Sequence, residues 1–186
     1  MYYFSKTNLG SHVLLSAIIA SHLGWVFEMI LFVCLYGGIA DRGFVTLPLC
    51  PIYGITMLAV YYLIGTPHSG GVLIRGMARG GARNIVYFLL AVIIPSLAEL
   101  IGGEVMEIVS GEVLWGYEHI GYNFGRYVSL PISLGWGALI FVVMTFYDNA
   151  LNLLRRIPDN LARRLAISLS ALVAIDFAGN LILSVI

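Results

Sequence analysis

The chain has 186 residues, 60% of them hydrophobic and 11% charged, with zero formal net charge and a mean hydropathy of +0.92. Soluble domains carry about a quarter charged residues, so this composition excludes a water-soluble globule with one anchor and defines an integral membrane protein. Two cysteines, Cys34 and Cys50, support neither a disulfide framework nor a zinc site.

Five apolar segments approach or exceed the roughly 20 residues that span a bilayer: 11–36, 48–65, 85–109, 128–147 and 164–186. The expected fold is all-α, a single polytopic transmembrane domain over 1–186 with about five helices. Segment 11–36 is too long for a signal-peptide core and no small-residue cleavage site follows it, so it reads as a retained span. It carries Glu28, together with His12 and His22, which are expected to be buried, hydrogen-bonded histidines rather than metal ligands.

An internal repeat follows. The string Phe44-Val-Thr-Leu-Pro-Leu-Cys-Pro-Ile-Tyr-Gly54 returns as Tyr127-Val-Ser-Leu-Pro-Ile-Ser-Leu-Gly-Trp-Gly137, with Arg42 ahead of the first copy and Arg126 ahead of the second. Helix capping accounts for part of this likeness: Thr46 and Ser129 are N-cap types, and Pro48 and Pro131 suit a first helical turn. Capping does not account for the pairs Tyr53-Gly54 and Trp136-Gly137, nor for the arginines. The repeat therefore predicts two parallel helical hairpins, about 11–65 and about 85–147, plus an extra helix at about 164–186.

The stretch between the hairpins is glycine-rich and basic. Arg75, Arg79 and Arg83 recur every four residues and would line one face of a short surface helix against anionic lipid headgroups. No Gly-Lys-Ser/Thr ending occurs, so no nucleotide site is expected, and neither zincin nor serine-hydrolase motifs are present. No metal, cofactor or nucleic-acid partner is expected either.

The second hairpin carries Glu99 in its ascending helix, then an insert holding Glu104, Glu107, Glu112 and Glu118. Helical spacing sets Glu104, Glu107 and Gly111 on one face, with Glu99 partly turned away. Gly102-Gly103 is expected to loosen the helix, and Trp115 and Tyr117 to sit in the interfacial belt or in a re-entrant segment beneath it. In the last segment Ala166, Ser170, Ala174 and Ala178 form a small-residue stripe suited to close contact, while Asp176 and Asn180 point into the bundle.

Lys6, Arg75, Arg79, Arg83, Arg155, Arg156, Arg163 and Arg164 share one side of the membrane, and Arg42 and Arg126 fall on the other. The positive-inside rule then sets the N-terminus inside and the C-terminus outside a bacterial cytoplasmic membrane. Carboxylates in hydrocarbon must be paired, hydrated or protonated. Pairing Glu28 and Glu99 with Arg126 and Arg42 is the structural solution, and it leaves Glu104, Glu107 and Asp176 in surplus. The seven residues Glu28, Arg42, Glu99, Glu104, Glu107, Arg126 and Asp176 form the candidate substrate- or ion-binding set, with no catalytic residue assigned.

These residues also carry a resemblance. Gly24-Trp-Val-Phe-Glu28, Asp41-Arg-Gly-Phe44, Pro48-Leu-Cys-Pro-Ile-Tyr-Gly54, Leu97-Ala-Glu99, Trp115-Gly-Tyr117 and Asn123-Phe-Gly-Arg126 leading to Ser133-Leu-Gly-Trp-Gly137 resemble the CmpB-like family of small bacterial membrane proteins, named for a type IV ABC-transporter permease. The motifs cover about residues 24–147. The chain departs from the pattern at Gly116, where an acid is expected, and at Thr46-Leu47, where a small residue usually precedes the proline. The resemblance implies a transporter-like membrane protein and assigns no binding residue; no coupling-helix motif for an ATPase partner is evident.

Three functions are compatible with these residues. The leading one is a small transporter or permease, proton- or cation-coupled, completed by a second copy or a partner subunit within the lipid bilayer. The others are a membrane enzyme acting on a lipid or lipid-phosphate substrate, with the arginines as a phosphate clamp, and a non-catalytic accessory subunit.

Overall fold

The computed structural model describes residues 9–38 and 44–185, so Lys6, Asp41 and Arg42 lie outside the described part. Five helices account for most of it: α1 (Leu9–Tyr36), α2 (Pro51–Leu63), α3 (Gly81–Ser110), α4 (Leu130–Leu154) and α5 (Asp159–Val185). A two-stranded antiparallel hairpin, β1 (Asn123–Phe124) and β2 (Val128–Ser129), precedes α4. Helices α1, α3, α4 and α5 are long and apolar enough to cross a membrane. Large apolar side chains stay exposed along them, Ile108 at 79% and Ile175 at 70% among them, as expected of surfaces that face lipid.

Helix α2 is shorter than its apolar segment. Its 13 residues rise only about 20 Å, against a hydrocarbon core of about 30 Å. Two prolines explain its late start. Leu47 and Cys50 each precede a proline, and the proline ring disfavours helical backbone at the residue before it. Pro51, rather than Pro48, takes the first helical position, where a missing N–H costs nothing.

The chain divides into two compact units, Met1–Ile55 with Leu151–Ile186, and Thr56–Ala150. In the first, Leu15 of α1 packs on Ala162 and Ala166 of α5. One end of the α5 small-residue stripe is thereby used, while Ala174 and Ala178 are exposed. His12 bonds the Ile157 carbonyl at 3.1 Å, so contacts advance together along both helices and α1 and α5 run parallel.

In the second unit α3 and α4 are antiparallel. Tyr87 meets Phe141, Gly137 seats against Val92, and Ser96 Oγ lies 2.7 Å from Ser133 Oγ. Helix α3 runs unbroken through Gly102-Gly103 and ends at Gly111, whose left-handed φ of 72° lets its N–H reach the Glu107 carbonyl. Gly103 does not loosen the helix. It seats the Tyr127 ring where a Cβ would collide.

The basic stretch before α3 is a series of turns rather than a surface helix. Gly65, Gly70, Gly76 and Gly80 all take positive φ, which a helix forbids. Tyr87 Oη donates to the Gly65 carbonyl at 2.8 Å, and Thr66 Oγ1 to Asp148 Oδ2 at 3.0 Å, fixing the turns to α3 and α4. Arg83 leaves the expected arginine face altogether. It is 6% exposed and sits over Gly70, with Nε and Nη2 lacking a partner among the described residues.

Candidate functional site

The polar groups of the second unit gather at the far end of α3, where the chain leaves the helix and folds back along it. From Gly111 to Gly116 the backbone is irregular. Tyr117 Oη then donates to Glu99 Oε1 at 2.6 Å, and Trp136 Nε1 at the start of α4 donates to the same oxygen at 2.8 Å. Glu99 is 8% exposed. At 1.5 Å per residue it lies about 16 Å back from the end of α3, so Tyr117 belongs to a segment that re-enters toward the span.

Glu107 closes the same loop two turns further out. Tyr127 Oη and Arg126 Nη1 both donate to its carboxylate at 2.5 Å, on separate oxygens. Arg126 Nε also donates to Glu118 Oε1 at 3.0 Å, so one guanidinium bridges two acids. Its bond to Glu118, then Tyr127, then the charge of Glu107 push its pKa above the usual arginine range and keep it charged. Burial, then the bond to Glu107, raises the Tyr127 phenol as well. Trp115 stacks edge-on against Tyr127 at 6.0 Å. Ser129 is not an N-cap acceptor: its hydroxyl lies 3.2 Å from the Gly121 carbonyl and donates to it, as part of the hairpin.

The first unit holds its acid in a related way. Tyr53 Oη donates to Glu28 Oε1 at 2.6 Å, and the Tyr53 ring lies where a Cβ on Gly24 would be. Gly54 seats against Ser21, as Gly137 seats against Val92 in the other unit. Each aromatic–glycine pair singled out in the sequence therefore performs the same two tasks. The aromatic donates to a carboxylate on the preceding long helix, and the glycine lets that helix approach.

The remaining candidates separate. Asp176 Oδ2 accepts the Leu47 backbone N–H at 2.9 Å, and Asn180 Nδ2 donates to Thr46 Oγ1 at 3.0 Å. Both α5 residues thus hold the turn before α2, and Thr46 is engaged there rather than as an N-cap. Glu104 is exposed on α3, one turn before Glu107. Arg126 is taken up by Glu107 and Glu118, and Arg42 lies outside the described residues. Sequence reasoning missed the donors: Tyr53, Tyr117, Tyr127 and Trp136. The duplicated aromatic–glycine pairs were the signal for two of them. No group of three potential metal ligands occurs among the described residues.

Long apolar helices, one of them carrying the buried carboxylate of Glu99, define a multi-span helical membrane protein. A family model described as "Putative ABC-transporter type IV" matches residues 15–181, and the chain belongs to that family. The match runs into α5, beyond the stretch that the motifs cover. No curated protein and no solved structure matches the chain. The family name points to a transporter-related membrane protein.

Proposed function

We propose that the protein is a small permease of the bacterial cytoplasmic membrane, with its N-terminus inside, and that Glu99 is its proton- or cation-responsive group. The observation that carries this reading is the bond between Tyr117 and Glu99. Irregular backbone near membrane depth is tolerated only where protein covers it or water reaches it. A buried carboxyl in such a place is a functional group by default. Two aromatic donors can stabilise its charged form, and release of Tyr117 would expose it to the outer solution.

The parallel course of α1 and α5 supports termini on opposite faces, and the positive-inside pattern supports the inward N-terminus. The matched aromatic–glycine contacts in the two units support an internal duplication. A chain of 20.3 kDa has few helices with which to enclose a path, so a second copy or a partner subunit completes it. The outer cluster favours a narrower role than its charge suggests. Arg126 is already held by Glu107 and Glu118, which argues against a phosphate clamp and for a latch on the loop.

Proteoliposomes loaded with a pH-sensitive dye test the reading. Wild-type protein should carry a proton flux after an outer pH jump, and Glu99→Gln should lose it while keeping its helical circular dichroism. Equal flux in the two proteins would overturn the assignment of Glu99.

A further inference from the structure

The hairpin ahead of α4 turns one face away from the protein. Tyr127 and Ser129 are buried, so Val128 and Leu130, which alternate with them, face outward, and Leu130 is exposed. Phe124 pairs with Val128 across the hairpin, and the Tyr122 carbonyl accepts the Leu130 N–H at 3.1 Å, so both aromatics share that face. Phe124 is 75% exposed and Tyr122 84%. Tyr122 is also the one non-glycine residue with positive φ among the described residues, at 57°. Bulky side chains rarely adopt that conformation, and it persists only where the surroundings impose it. Here it holds out a ring that the described chain leaves bare.

Tyr127, seated on Gly103 and bonded to Glu107, fixes the hairpin beside the last turns of α3. At that height α3 exposes Ile101, Val105 and Ile108, large apolar side chains on a helix of spanning length, next to the ionisable Glu104 and Glu107. Apolar and charged groups at one depth mark the boundary between acyl chains and headgroups, where amphipathic aromatics gather. We propose that Tyr122 and Phe124 enter that boundary and anchor the hairpin in the lipid leaflet beside it. The rings supply the apolar surface, while two-residue strands cannot satisfy their backbone inside hydrocarbon, which stops the hairpin at headgroup level. Arg126, the cation that the hairpin carries, is already paired with Glu107 and Glu118, so a neutral phospholipid suffices. Trp115 and Tyr117, expected in the interfacial belt, are engaged within the fold instead, on Tyr127 and Glu99. The Tyr117 N–H donates to the Arg126 carbonyl at 2.7 Å, so the anchor also holds the re-entrant segment. It stands whether or not Glu99 carries a proton.

Fluorescence of the full chain in phosphatidylcholine vesicles tests the proposal. Phe124→Trp keeps an aromatic ring at the tip, and its emission is read after subtracting that of the wild type, which contains Trp25, Trp115 and Trp136. Acyl chains brominated near the glycerol should quench most of the added emission. Chains brominated near their ends, and iodide on both sides of the membrane, should quench little of it. Tyr122→Trp gives the same reading should the first variant fold poorly. Quenching by iodide rather than by bromine would place the hairpin in water and overturn the proposal. Equal quenching by shallow and deep bromines would overturn it too, as would quenching by neither, the mark of a protein covering the patch. Phe124→Ser should also speed hydrogen exchange at Tyr117 in the same vesicles, and unchanged exchange would refute the hold on the re-entrant segment.

Discussion

Tyr117 and Glu99 are 18 residues apart, yet the tyrosine hydroxyl lies 2.6 Å from the carboxylate. A loop that merely joined α3 to β1 would leave them far apart, at different heights along the helix. Their bond ties the irregular segment after Gly111 to the interior of the hairpin. It also makes the surroundings of the buried Glu99 depend on where that segment lies.

Tyr117→Phe removes one donor from a buried carboxylate and leaves the ring. The loss of a hydrogen bond to a charged group should cost about 1.5–3 kcal/mol. A lowered midpoint of thermal unfolding in detergent checks this. Hydrogen exchange should rise across 111–122 while α1 and α5 keep their protection.

The glycine seats make a paired test. Gly103→Ala must displace the Tyr127 ring, and Gly24→Ala the Tyr53 ring, each at a cost of about 1–3 kcal/mol for overpacking. A methyl group at Gly135 would meet nothing within 4 Å, so Gly135→Ala should be neutral or gain up to about 1 kcal/mol of helix propensity. Thermal unfolding should shift down in the two seat variants and stay level or rise in the control.

Tyr127 gives the loop between α3 and α4 an alkaline limit. Its pKa is raised in the folded state, first by burial and then by Glu107, so the folded form holds its proton more tightly than the unfolded form. That contribution is complete below the ordinary tyrosine value of about 10 and is lost as pH rises through the folded pKa. Stability followed by circular dichroism should fall at high pH in the wild type. Tyr127→Phe should lessen that fall.

Arg83 is expected to be a liability. A buried guanidinium with Nε and Nη2 unbonded among the described residues bears a desolvation cost that a well-packed apolar side chain avoids. Arg83→Met should therefore be neutral or stabilising in a melt, and Arg79→Met should leave the melt unchanged.

Much of this architecture was legible because apolar runs of spanning length have few alternatives. The helices appeared where hydropathy put them, and the histidines of α1 both bond to backbone carbonyls, His12 to Ile157 and His22 to Pro48, although only His12 is buried and His22, expected to be buried, is exposed. The misreadings have local causes. Arginines every four residues imitate a helix face, but the glycines among them take φ values that no helix uses. Ser129 and Thr46 have the composition of N-caps, yet non-local partners, Gly121 and Asn180, claim their hydroxyls. The site was legible in part, since Glu99 and Glu107 stood out as acids in an apolar helix. Their donors did not, because Tyr117 and Tyr127 reach them through loop closure, which no periodicity records.

The parallel packing of α1 on α5 has a practical meaning for anyone handling the protein. Leu9 and Val185 fall at opposite ends of one helix pair, so in the orientation proposed above a fusion at one terminus and a fusion at the other should enter different compartments. A fluorescent reporter that matures only in the cytoplasm should light up at one end of this chain and stay dark at the other. An exported phosphatase should give the reverse pattern.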